Sequence, residues 1–171
     1  MATNYSDLKV DDTGKNLQLI NNDLTLITSN VDSVRQRLAM RFSIWKNEYK
    51  FNLEFGFPYW DYLGKKVGKE IVDAKVRQVA RAPEDVLRIE NFQSSFENRY
   101  YEAYFTVITT ELEEINIAFI GSEQYLYPSP EDETEQLCPT IGEVEYGNKL
   151  YYLINFRLPV TGDSTWINLW K

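Results

Sequence analysis

Apolar residues along this chain change their spacing several times, and each change marks an element. Val31, Val34, Leu38, Phe42 and Trp45 recur three or four residues apart, so they line one face of a helix. Ser29 or Asn30 stands ahead of that stripe and can accept from the first free amides as its cap. Arg35, Gln36, Arg37 and Arg41 fall mostly on other faces, as expected of a helix with one side in a core. A second helix is predicted over residues 69–82, with Val72, Val76 and Val79 as its stripe and Ile71 and Ala80 beside it. Pro83 lacks an amide proton and clashes with the preceding turn, so it ends that helix.

Elsewhere the period is two. "LKV", "LQLI" and "LTLIT" precede the first helix and are too short to be helices themselves; "DDTGKN" and "NND" part them as turns. Residues 86–96 alternate, which puts Ile89 and Asn91 on one face and Glu90 and Phe92 on the other. "ENR" turns the chain, "YYEAYFTVIT" returns, and "EINIAFI" at 114–120 makes a third strand. The pattern predicts an α+β fold: a small mixed or antiparallel sheet with two main helices on one face. After Gly121 the character changes. Residues 121–145 hold three prolines and seven acidic residues but no lysine or arginine. They read as a long exposed loop, or as one that orders on a partner. The apolar tail, "KLYYLINFRLPV" and "TWINLW", needs cover from its own domain or from another subunit. The expected division is a core domain over 1–120 and an acidic, β-rich C-terminal extension over 121–171.

Composition narrows the chemistry. The chain has 171 residues and a formal net charge of −8, so phosphate backbones are repelled and no nucleic-acid partner is expected. It has no histidine and a single cysteine, Cys138. Histidine-based triads, histidine general bases and an internal disulfide are thereby excluded. No glycine-rich phosphate loop or calcium loop occurs, and no cofactor is expected. The start of the chain lacks a secretory pattern, and no apolar run approaches the ~20 residues of a membrane helix; no membrane partner is expected. Twelve tyrosines raise the aromatic share to 15%, which suits either protein contacts or a β-rich fold. Around the second helix, Lys65, Lys66, Lys69, Lys75, Arg77 and Arg81 outnumber Glu70 and Asp73. That cluster fits a contact with an acidic partner or a solvated face.

The passage between the helices, "WKNEYKFNLEFGFPYWDYLG", mixes aromatics with Glu48, Glu54 and Asp61. Gly56 and Pro58 break the helix, and Pro58 can start a short helical turn that Gly64 ends. A carboxyl among aromatics can have a raised pKa, and two of them across a cleft are what a glycosidase needs. An acid-active, lysozyme-like muramidase using Glu48 with Glu54 or Asp61 is therefore the alternative reading.

Taken in order, the strand "DLTLIT", the helix with Gln36, Arg37 and Leu38, then Glu48, the turn Gly56, Pro58 and Tyr59, and Leu63, Gly64 and Lys65 form a set. Over residues 15–110 this set resembles the baseplate wedge, or sheath-initiator, family of contractile phage tails and related injection machines. That family shows a "v-Q-r-l" helix, a Gly-Glu-Trp-Phe segment, a "yGvPy" turn and an "LGK". Here Asn47 stands for the glycine and Tyr49 for the tryptophan. Many members carry Glu-Pro-Arg after the second helix, where this chain has Ala82, Pro83 and Glu84; Arg81 or Arg88 is the candidate replacement cation.

The resemblance implies a fold similar to the conserved sheath-subunit domain and a structural role without catalysis, although relatives have been described as lysozyme-like. It implies a virion protein of the tail baseplate, assembled in the bacterial host cytoplasm, that joins the wedge to the sheath and templates the first sheath ring by inter-subunit strand pairing. Implied partners are the tail sheath protein, other wedge subunits and tail tube or hub proteins. The candidate interface comprises Glu48, Gly56, Pro58, Tyr59, Arg81, Pro83, Glu84, Arg88, Ile115, Ile117, Phe119, Trp166 and Trp170. Within the aromatic passage, Trp45, Phe51, Phe55 and Trp60 are expected to fill the space under the turn, and Glu48 to hydrogen-bond backbone.

Overall fold

The computed structural model describes residues 7–11, 16–62, 67–97, 100–124 and 140–159. Four two-residue strands come first: β1 (Asp7–Leu8), β2 (Leu19–Ile20), β3 (Asp23–Leu24) and β4 (Leu26–Ile27). They close as two antiparallel pairs, β1 with β4 and β2 with β3. Asn21 and Asn22 make the tight β2–β3 turn at φ 54° and 63°, a conformation asparagine tolerates better than most residues.

Helix α1 (Asn30–Ser43) starts on Ser29, whose hydroxyl accepts from the Asp32 amide, satisfying one of the orphan donors of the first turn. Its buried face is Val34, Leu38, Ala39 and Phe42. A single helical turn, α2 (Tyr59–Tyr62), follows the aromatic passage, and α3 (Lys69–Ala80) buries Val72, Val76, Val79 and Ala80. Both stripes match the sequence reading; Ile71, beside the α3 stripe, is left exposed.

The main sheet has five strands in the order β5 (Val86–Glu97), β6 (Tyr100–Thr109), β7 (Glu114–Gln124), β9 (Lys149–Pro159), β8 (Thr140–Tyr146). β5, β6 and β7 form the expected antiparallel meander. β9 then joins β7 in parallel, and β8 returns against β9. The α+β class with a β-rich C-terminal part is thus as expected. β7 runs across the expected 120/121 boundary, and β9 pairs with it from Ile117 to Gln124, so the described part of the extension lies in the same sheet as the core. Residues 125–139 and 160–171, including Trp166 and Trp170, lie outside the described residues.

One face of the sheet packs on α1 and α3. Tyr101, Ala103, Phe105 and Val107 of β6, Ile115, Ile117 and Phe119 of β7, and Ile154 of β9 are buried there with the helical stripes. Each large apolar side chain fully buried in this way contributes about 1.5–3 kcal/mol. The strict alternation expected in β5 fails at Asn91. That residue has φ 50° and sits in a register shift between Glu90 and Gln93. The extra residue turns Phe92 back to the face of Ile89, and both pack on the core. Phe92 lies 5.5 Å from Phe105, and the Arg77 guanidinium covers it at 3.7 Å. On the opposite face Tyr104, Ala118 and Tyr151 form a second cluster. Tyr104 stacks on Tyr146 at 3.9 Å, so the sheet curls enough to bring the end of β8 over β6.

Candidate functional site: an aromatic corner and two sheet edges

The corner after α1 is built around Gly56. Phe57 donates to the Ile44 carbonyl at 2.9 Å and accepts from the Lys46 amide at 3.1 Å, so the chain returns beside its own helix exit. Gly56 takes φ +99°, and a Cβ there would lie 2.4 Å from the Ile44 oxygen; only glycine allows this approach. The residues after the glycine therefore face inward. Phe57 and Tyr59 are fully buried and pack on Phe119 at 5.6 and 6.4 Å. The Tyr59 hydroxyl donates to the Phe42 carbonyl, one of the orphan acceptors at the α1 C-terminus. Burial pushes the Tyr59 phenol well above its ordinary pKa, so it stays a donor.

The expected filling of this corner is thus corrected. Phe57 and Tyr59 take the space, Trp45 is only partly buried, Phe55 is half-buried under the Arg41 guanidinium at 4.7 Å, and Phe51 is 91% exposed. The side chain of Trp60 lies outside what is described. The cause is the loop itself: Asn47 turns at φ 74° and carries residues 48–55 away from the core before Gly56 brings the chain back.

The three carboxylates of the alternative reading are all engaged. Glu48 accepts from the Trp45 amide at 3.0 Å, the backbone role expected of it. Glu54 pairs with Lys46 at 2.8 Å, which holds its carboxyl below the ordinary range. Asp61 adds to the negative field at Lys46. A general acid needs the opposite shift to that of Glu54. Nothing in this geometry supports a lysozyme.

The Gln-Arg-Leu motif of α1 acquires three separate tasks. Gln36 accepts from the Val10 amide at 3.0 Å and donates to the Leu8 carbonyl at 2.9 Å. It acts as a backbone surrogate that clamps the N-terminal strands to the helix. Arg37 pairs with Asp85 in the turn that joins α3 to β5, and Leu38 is core. The signal for Gln36 was a polar residue in a helix flanked by short strands with amides to satisfy.

The α3–β5 turn holds the remaining candidates from the resemblance. Pro83 is buried and its carbonyl accepts from Val86, whereas Arg81 and Glu84 are exposed. Arg88 is paired with Glu90 on β5. A second correction concerns β7. Ile115, Ile117 and Phe119 are fully buried, and their strand is flanked on both sides by β6 and β9. They belong to the core and cannot face a neighbour while this sheet is closed.

The sheet has two outer strands. β5 is irregular, with register shifts between Val86 and Arg88 and between Glu90 and Gln93. Bulges and charges of this kind guard an edge against further pairing. The β8–β9 ladder runs from Thr140 to Tyr146 with no shift. The β8 side opens on a cleft of about 440 Å³ lined by Lys9, Val10, Asp11, Ile27, Arg35 and Gly142 among others. A Cβ at Gly142 would meet nothing within 4 Å. The β1–β4 hairpins across from it expose Leu19, Ile20, Leu24 and Leu26.

Among the described residues no helix is long and apolar enough to cross a membrane, and no group of acidic, histidine or cysteine side chains is placed to hold a metal ion. The described residues thus form an α+β domain with exposed apolar hairpins, a hydrogen-bonded aromatic corner and β8 as the regular outer strand of the sheet. Residues 6–112, more than half of the chain, match the family of contractile injection system sheath initiators, and the chain belongs to that family. No curated protein matches it. The family part ends before β7, so β7, β8 and β9 lie beyond the matched residues.

Proposed function

We propose that this chain joins the baseplate wedge to the sheath of a contractile tail and templates the first sheath ring, accepting a strand of the tail sheath protein along β8. The observation that supports the reading is the contrast between the two outer strands among the described residues, one broken by two bulges, the other regular in register and beside a cleft. An added strand would satisfy the outward amides and carbonyls of β8, and side-chain pockets would set its register. The exposed leucines of the β1–β4 hairpins, with Arg81, Pro83 and Glu84 of the α3–β5 turn, are the surfaces assigned to other wedge subunits; tube or hub proteins would lie beyond those. The place of action is the virion baseplate, assembled in the host cytoplasm. The division of labour is a core over 1–120 that holds the corner and an extension over 121–171 that supplies the accepting edge.

The test uses edge prolines. Successive residues of an antiparallel edge strand send their amides alternately to the partner and outward. Of Glu143→Pro and Val144→Pro, one removes an outward amide and leaves the β8–β9 ladder whole. That variant, identified by an unchanged melting temperature, should fail to nucleate ordered assembly of purified sheath protein where the native chain succeeds. Equal nucleation by both would refute strand addition at β8, and no association of the native chain with sheath protein would refute the role.

A further inference from the structure

The loop at 47–55 is rigid, and its tip is unused by the fold. Lys46, Asn47, Asn52 and Phe55 donate backbone hydrogen bonds within the passage at 3.0–3.1 Å. The Asn52 side chain accepts from Glu54, and Tyr49 packs edge-on against both Phe51 and Phe55 at 5.6 and 5.7 Å. An exposed aromatic on a loop held this firmly has lost its freedom before binding, which is what an interface anchor requires. Phe51 is 91% exposed with Leu53 at 54% beside it, and their burial by a partner would come with little ordering cost. Hot-spot residues have this form: one large aromatic set to enter a pocket.

Charge specifies the pocket. Three carboxylates lie in this passage, of which Glu48 accepts from the Trp45 amide and Glu54 pairs with Lys46. The cations exceed them. Lys50 stands next to Phe51 and makes no ion pair among the described residues, Arg41 lies over Phe55, and Lys75 bonds only neutral Gln78 among its described contacts. Lys75 lies in the field of both Lys46 and Glu54. On a chain of net charge −8, this is a locally positive surface around an apolar knob.

We infer that Phe51 is the anchor of a docking surface for an acidic protein partner, entering an apolar pocket whose rim carries carboxylates that face Lys50, Arg41 and Lys75. This surface lies apart from the β8 edge, and it rests on the assembly role proposed above only in taking the partner to be another component of the tail.

The experiment places p-benzoylphenylalanine at Phe51 of the full chain in assembled tails, irradiates them and locates the crosslink. The expected crosslink falls on an apolar residue of a tail protein bordered by Asp or Glu. A crosslink to a neutral or basic surface, or to a second copy of this chain, or none from tails that contain the chain, overturns the inference. Phe51→Ala and Lys50→Glu should melt within about 1 °C of the native chain, since neither side chain packs in the core, yet reduce its occupancy in purified tails at least tenfold. Lys50→Arg should keep native occupancy. Native occupancy of Phe51→Ala overturns the docking alone, whereas absence of the native chain from tails overturns the assembly role as well.

Discussion

Gly56→Ala is the sharpest probe of the corner. The new Cβ would start 2.4 Å from the Ile44 oxygen and 2.9 Å from two backbone carbons, where real Cβ atoms do not come closer than 3.0 Å. The chain must therefore open by at least about 0.6 Å at a place where no flexible side chain can yield. Two hydrogen bonds cross that gap, Phe57 to Ile44 and Lys46 to Phe57. Each is worth about 0.5–1.5 kcal/mol net. A left-handed backbone adds about 1–2 kcal/mol for a residue with a Cβ. The sum is about 2–5 kcal/mol, before any loosening of Phe57 against Phe119.

Urea denaturation followed by circular dichroism measures this directly, and a loss of about 3 kcal/mol should lower the melting temperature by about 10 °C in a chain of this size. Gly142→Ala is the control. Its Cβ meets open space, and the substitution should stay within about 0.5 kcal/mol or stabilise slightly, because alanine loses less entropy than glycine in a strand. A Gly56→Ala protein within 1 kcal/mol of native would refute the close approach as the reason for this glycine.

Three further outcomes follow from single contacts. Asp73 is partly buried, which raises its pKa, but bonds from Tyr101, Lys69 and Ser94 outweigh this and hold the carboxyl below its ordinary 3.8. Its stabilising effect is thus present above that value and lost as pH falls through the lower folded value; Asp73→Asn should melt below native at pH 7 by several degrees and converge with it toward pH 2.5. Asn91→Val should cost about 1–2 kcal/mol in denaturant titration, since a β-branched residue resists the φ 50° of the bulge, whereas Asn91→Gly should be near neutral. Ile154→Ala, at a fully buried position of β9, should cost about 2–5 kcal/mol; a loss under 0.5 kcal/mol would show that β9 does not pack on the core.

The helices were legible because each is decided by its own residues. Val34, Leu38 and Phe42, or Val72, Val76 and Val79, repeat at the helical period whatever lies across from them, and Ser29 caps locally. The meander was legible for the same reason, up to Asn91. A bulge depends on the strand opposite, and no residue type announces it. The corner was located correctly but filled with the wrong aromatics: Phe51 and Phe55 were expected where Phe57 and Tyr59 pack. The sequence places aromatics on both sides of Gly56, but the direction of the chain after the glycine decides which of them are buried, and that follows from the return to Ile44. The β7–β9 pairing was out of reach, because a parallel contact across a long connection has no local signature.

The position of β9 has a consequence for how the molecule assembles. A meander that stopped at β7 would leave Ile117 and Phe119 beside a bare edge, with every second amide between Ile117 and Gln124 unpaired. Such an edge pairs with whatever strand is near, including a second copy of itself. β9 closes it, and its Ile154 completes the core. Among the described residues the hairpin then moves the outer edge to β8, next to a cleft that it shares with Asp32, Arg35 and Gln36 of α1. The other end of the sheet is closed by the β5 bulges. On the function proposed above, a domain that accepts a strand at β8 and refuses one at β5 would start a ring on a surface without polymerising by itself.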